Sequence, residues 1–208
     1  MNCLIQLTGY LHKHLVFSRR TEVLARSIAE LLPEKATVLD VGSGDGLIAK
    51  KIMARKPLLT ITGIDVLIRK ESHIPVKVFD GEHIPYPESS FDFVLFVDVI
   101  HHTVKQQGLL SEAARVAKHG VIIKDHYADS WWKHKGLGVL DWVGNRPHGV
   151  PLPYAFLNRT TWARLWTTAG LVKEKELLKI NLYPFPLNRI IDWPWNFIAK
   201  FRKTPNRT

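Results

Sequence analysis

The sequence predicts an α/β domain built on a seven-stranded, mostly parallel sheet with helices on both faces and a cap inserted after the fifth strand. Three observations carry that expectation. Apolar, β-branched runs alternate with helix-period segments from Arg20 to Tyr127, the pattern of a sheet covered on both sides. The stretch "VLDVGSGDG", Val38 to Gly46, sets three glycines at alternate positions directly behind the first such run. Finally, 208 residues at 46% hydrophobic are enough for one full core and marginal for two, so residues 1–208 are read as one domain.

The elements follow in order. "RTEVLARSIAELLP" places Val23, Leu24, Ile28, Leu31 and Leu32 on one helical face and stops at Pro33. "ATVLDVG" reads as a buried strand, "LIAKKIMARK" as the helix after the glycine loop, and "LTITGIDV" as a second strand ending in Asp65. "VKVFDGE" is a short third strand, and "FDFVLFVDVIHH" a fourth whose unbroken apolar run from Phe93 to Val97 suits a central position. A helix over "LLSEAARVAK" leads to a fifth strand, "GVIIKDHY". Residues 128–158, rich in Trp, Gly, Pro and His, read as an inserted cap and not as a further strand-helix unit. "RTTWARLWTTAG" restores a helix with a glycine stop, "LVKEKELLKI" alternates as a sixth strand, and the proline-interrupted tail holds a loop and a last strand.

Composition narrows the function classes. Cys3 is the only cysteine, which excludes an internal disulfide and a four-thiolate zinc cluster and fits a reducing cytoplasm. No run approaches the ~18 apolar residues of a membrane span, and His12, Lys13 and His14 break the N-terminal apolar stretch. With 29 Lys and Arg against 19 Asp and Glu, the formal charge of +10 favours anionic partners: nucleic acid, a phospholipid surface or acidic metabolites.

Glycines at the first strand-to-helix turn of a doubly wound sheet let a ligand touch the main chain at the strand ends. Here the spacing is G-x-G-x-G, with Leu47 where the last glycine of a dinucleotide fingerprint would fall, and no Lys-Ser or Lys-Thr pair follows as a P-loop needs. With Asp40 before the loop, Asp65 ending the next strand and "FDGE" ending the third, the sequence resembles the class I S-adenosylmethionine-dependent methyltransferases, and among them the type 11 group, from about Val23 to Tyr127. The resemblance implies a Rossmann-like sheet with its last strand antiparallel and S-adenosylmethionine as cofactor. On that likeness Asp40, Gly42, Ser43, Gly44 and Gly46 cradle the methionine end, and Asp65 accepts the ribose hydroxyls. Asp80 takes the adenine amino hydrogens, with Val66, Gly81 and Glu82 beside the ring, and Asp98 lies near the sulfonium. The family pattern is departed from after "HHT", where Val104 and Lys105 replace an acidic, proline-containing turn.

The methyl acceptor is approached by exclusion. The fourth strand is followed by "DVIHH" and not by the Asn/Asp-Pro-Pro-aromatic motif of nucleobase amino-methylating enzymes. There is no cysteine nucleophile beyond Cys3, no full magnesium-binding set of the catechol type, and no paired glutamates as in arginine methyltransferases. His101, His102, Asp125 and His126 end the fourth and fifth strands and ring the crevice, so a histidine is the expected general base for an in-line methyl displacement. A metal set of His101, His126 and His148 lacks regular ligand spacing, and no metal is expected. In "LDWVGNRPHGVPLPY", Asp141, Trp142, Asn145 and His148 mix polar groups with aromatic area as a substrate lid does.

Seven tryptophans point to a small, hydrophobic or lipid-like acceptor. An RNA methyltransferase, which the charge supports, and a non-catalytic cofactor-binding partner subunit are the alternatives. Residues 183–203 interleave aromatic and basic side chains, as a peripheral contact with a membrane surface requires; the buried face of a last strand reads the same way over Trp195, Phe197 and Ala199.

Overall fold

Strand β1 (Lys35–Val41) is the centre on which the rest is laid, and its residues Val38, Leu39 and Val41 are fully buried because both faces of the sheet are covered. The computed structural model describes residues 17–145, 153–185, 188–192 and 195–204, so Cys3 and His148 lie outside the described residues. Around β1 the chain forms α1 (Ser18–Ala29), α2 (Leu47–Arg55), β2 (Leu58–Asp65), β3 (Val76–Val78), β4 (Phe91–Val97), α3 (Gln106–Val116), β5 (Ala117–His126), α4 (Trp131–Asn145), α5 (Arg159–Thr168), β6 (Leu171–Leu177) and β7 (Asn196–Lys203). The sheet order is β3-β2-β1-β4-β5-β7-β6, with β7 antiparallel to both its neighbours and the other six strands parallel. Strand order reverses between β1 and β4, the position at which a doubly wound sheet opens a crevice at the carboxyl ends of its strands.

Two apolar layers hold the sheet. On one face Leu39, Phe96, Ile123 and Phe197 pack with Leu110 of α3 and Trp162 of α5. On the other, Val38, Leu95, Ile122 and Ile198 meet Leu24 and Ile28 of α1 and Ile52 of α2. Helix α5 begins where the Asn158 side chain accepts a hydrogen bond from Thr161 N at 2.8 Å. Its indole Trp162 donates Nε1–H to the His126 carbonyl at 3.0 Å, which ties the far end of β5 to the helix layer. Strand β6 is the sheet edge, and its Lys173, Glu174 and Lys175 are exposed, charges that oppose edge-to-edge pairing.

Two expectations, the extent of the third strand and the availability of the tail, need correction, and the cap gains a helix that its composition did not announce. The third strand is three residues long, and Asp80 to Glu82 form a turn beyond it. Part of the inserted cap is a helix, α4, despite its three glycines: a β-carbon at Gly136 would press on the Trp195 ring, so a residue that weakens the helix locally is the one that lets it pack. Of the stretch 183–203 offered for membrane contact, Phe197, Ile198, Ala199 and Phe201 are core residues, because β7 lies between β5 and β6 and is covered on both faces.

Candidate functional site

The glycine loop is folded onto the end of β2. The amides of Gly42 and Ser43 donate to the Ile64 carbonyl at 2.8 and 3.2 Å, and Gly44 N donates to Asp65 Oδ2 at 2.8 Å. The glycines differ in what they make room for. A β-carbon on Gly42 would strike Val99, whereas one on Gly44 would meet no protein atom within 4 Å, so Gly44 faces open space with φ +59°. Ser43 turns its buried hydroxyl against Gly63 of β2 and away from that space. Asp45 Oδ1 accepts from Leu47 N at 3.0 Å and steadies the start of α2.

The carboxylates around the loop fall into two kinds. Asp40 is buried at the end of β1, where burial and the neighbouring Asp65 charge push its carboxyl up to about 8. Asp65 also accepts from Leu67 N at 3.0 Å, and a two-oxygen acceptor retains capacity for a diol. Val66, exposed on the rim, packs beside Gly81. Asp80 is more exposed: it accepts from the amides of Glu82 and His83 at 2.8 and 2.7 Å, bonds that hold its carboxyl well below the usual range. Glu82 is paired with Lys105 at 2.6 Å.

Across the crevice, the ends of β4 and β5 bring together a buried charged group. Asp98, at φ +58°, receives Lys124 Nζ at 2.5 Å and the Arg20 guanidinium. Burial alone would raise its carboxyl; the two cations outweigh that and leave it well below the usual range. Lys124 is fully buried, and burial lowers its ammonium against the pull of Asp98. Its Nζ also lies 3.3 Å from His126 Nε2, and burial together with this cation pushes His126 down to about 4. Beside it, His101 Nδ1 is 2.7 Å from Asp125 Oδ1 in a fully buried pair, and Phe156 stacks on the His101 ring at 4.8 Å. His102 leans on His101 with ring centroids 4.2 Å apart. Asp98, His101, Asp125 and His126 offer ligand atoms within 4.8 Å of one another, but Lys124 and Arg20 already bring cations to that group.

A methyltransferase-domain family model matches residues 16–176, three quarters of the chain, including the glycine loop and the β4 and β5 ends. The chain belongs to the class I S-adenosylmethionine-dependent methyltransferases. Its cofactor is S-adenosylmethionine, and the open space at Gly44, the paired carboxylates Asp40 and Asp65, and the exposed Val66 rim fit that molecule's cationic, ribose and adenine parts. Among relatives, the chain is 27% identical over 164 residues to the ubiquinone/menaquinone biosynthesis C-methyltransferase UbiE of Cupriavidus pinatubonensis, covering 65% of this chain and 67% of that protein. It is 34% identical over 93 residues to the demethylmenaquinone methyltransferase of Tropheryma whipplei, covering 40% and 38% of the two chains. The methyltransferase thus spans about two thirds of the length of the UbiE relative or less of the others. Its fold is shared with the 1,6-didemethyltoxoflavin-N1-methyltransferase of Burkholderia thailandensis, solved with S-adenosylhomocysteine (TM-score 0.65, 14% identity, 96% of this chain and 85% of that one).

The methyltransferase crevice contains residues that sequence reasoning missed. Lys124 had a readable signal, a lysine inside the otherwise apolar run "VIIKDH" of a central strand. Arg20 and Phe156 had none, since each reaches the group from another part of the chain. Gln106 donates to the carbonyls of Ile100 and Ala155 at 3.1 and 2.8 Å and so clamps the His101 turn to the segment carrying Phe156. Of the cap residues, Asp141, Trp142 and Asn145 lie on α4, with Trp142 exposed.

Proposed function

We propose that this methyltransferase methylates a lipid-like acceptor bearing an acidic hydroxyl or ring carbon of the quinol type, with His101 as general base. The carrying observation is the buried His101–Asp125 pair at 2.7 Å. With Nδ1–H donated to Asp125, the ring is fixed in the tautomer whose Nε2 accepts a proton, and the imidazolium that forms is balanced by the carboxylate beneath it. His126 is a weak base because burial and Lys124 hold it down to about 4. Bound S-adenosylmethionine supplies an electrophilic methyl; the chain's residues orient the acceptor, take its proton and exclude water.

The acceptor class draws support from the quinone-methylating names of the relatives and from the aromatic wall of Phe156, His101 and His102. On the same reading, exposed Phe185, with the Arg189 guanidinium 5.5 Å from its ring centroid, is the tail's point of contact with lipid. Incubation with a demethylquinol and methyl-labelled cofactor tests the proposal. His101→Gln and Asp125→Asn should retain cofactor affinity and lose about 10² to 10⁴-fold in turnover. Turnover within a few-fold of wild type in both would dismiss His101 as the base.

A further inference from the structure

Helix α4 has two unlike sides. On its inner side Leu137 is buried, the His134 ring meets Phe156 edge-on at 5.6 Å, and Gly136 makes room for the Trp195 ring. Phe156 stacks in turn on His101, so this side roofs the histidine group. The outer side carries Trp131, Trp132, Lys135, Val139 and Trp142, which fall within about 100° of the helix surface at 3.6 residues per turn. Trp131 and Trp132 are 61% and 76% exposed, large apolar surfaces that gain nothing from water where they stand. The Lys135 ammonium lies 5.8 Å over the Trp131 ring.

We propose that this outer stripe of α4 docks the enzyme on an anionic phospholipid bilayer. Indole rings flanked by lysine suit the headgroup layer, where the ring is half wet and the ammonium meets phosphate. The formal charge of +10 adds long-range attraction to an acidic surface. Among the described residues no helix is long and apolar enough to cross a membrane, so the contact is in the plane of the surface. The outer stripe stands one helix diameter, about 10 Å, from the side that roofs His101. The inference deepens the lipid-like acceptor reading: an acceptor dissolved in the bilayer arrives next to the crevice without passing through water.

The test is co-sedimentation of the full chain with vesicles of phosphatidylcholine alone and with about a third phosphatidylglycerol, read together with tryptophan emission. Wild type should pellet with the anionic vesicles, less so in high salt, with emission shifted to the blue. A Trp131→Ser/Trp132→Ser double variant should partition at least about tenfold less, and Lys135→Ala about fivefold less, the latter being the factor for one basic residue at an anionic surface. Both changes are at exposed positions, and unchanged thermal unfolding and S-adenosylhomocysteine affinity would show the fold intact. Wild type left in the supernatant with both vesicle types overturns the proposal, as does binding that the double variant does not weaken. A vesicle-independent dimer that the double variant converts to monomer would overturn it in favour of a second copy of the chain. Loss of S-adenosylhomocysteine binding in the wild type would strike the methyltransferase reading and not the docking result.

Discussion

At the scale of single residues, the glycine loop and the carboxylates on either side of it make the sharpest predictions. Gly44 faces space that no protein atom fills, so Gly44→Val should abolish cofactor binding, with a loss of stability beside it because a β-branched residue is strained at φ +59°, whereas Asp65→Ala should weaken binding by about 1.5 to 3 kcal/mol. Calorimetric titration checks both. Asp40 adds a pH dependence. Its folded value of about 8 lies above the ordinary carboxylate, so the free protein holds a proton there that the unfolded chain has lost, and this group's contribution to stability falls as pH rises from about 4 towards 8. A cationic ligand favours the ionised form. Cofactor binding below pH 8 should therefore release a proton and tighten as pH rises, levelling off above about 8; Asp40→Asn should flatten that dependence. Titrations in buffers of different ionisation enthalpy would expose it, and no difference between buffers at pH 7 would count against the buried carboxyl. These positions were legible in the sequence because glycine and aspartate at strand ends have few other uses in combination. The Lys124–Asp98 pair was not, since a pairing across neighbouring parallel strands depends on register, here Val97 against Lys124.

At the scale of elements, β7 decides how much of the tail is available for anything but the core. It runs antiparallel between β5 and β6, and Gly120 of β5 lies so close to it that a β-carbon there would overlap the Phe201 carbonyl. Gly120→Val should destabilise the protein by about 2 kcal/mol or more through overpacking against backbone that cannot yield. Urea unfolding measures this, and a shift under about 0.5 kcal/mol would contradict the close approach. The alternation of Trp195, Phe197 and Ala199 predicted a strand, but period-two reasoning could not show that Ile198 on the other face is buried as well; that follows from an interior place in the sheet. The strands β1, β4 and β5 were legible for the opposite reason, their apolar runs, longest over Phe93–Val97, being ones that a doubly covered sheet satisfies. Helix α4 was hidden in part because Gly136 answers to the ring of Trp195, a partner remote in sequence.

At the scale of the whole molecule, the sheet order sets β1 and β4 side by side, and the crevice between their ends joins two chemistries: a glycine-lined space for a cationic cofactor on one side, and a histidine-aspartate pair under an aromatic roof on the other. Removing Lys124 should disturb both stability and this site, since Asp98 then keeps Arg20 and the His126 ring at 3.6 Å but loses its fully buried cation; Lys124→Met should cost more than the Lys124→Met/Asp98→Asn double variant, the sign of a buried charge left short of a partner. A double-variant loss equal to the sum of the Lys124→Met and Asp98→Asn losses by denaturant unfolding would mean the pair is not coupled. The central claim, that this crevice transfers a methyl group with His101 taking the acceptor's proton, is met most directly by one assay: label transfer from methyl-labelled S-adenosylmethionine to a demethylquinol in anionic vesicles, comparing wild type with His101→Gln. The account predicts label in the lipid fraction for wild type and a loss of about 10² to 10⁴-fold for the variant at unchanged cofactor affinity. Tight cofactor binding with no label in any lipid fraction, or equal transfer by both proteins, would contradict it.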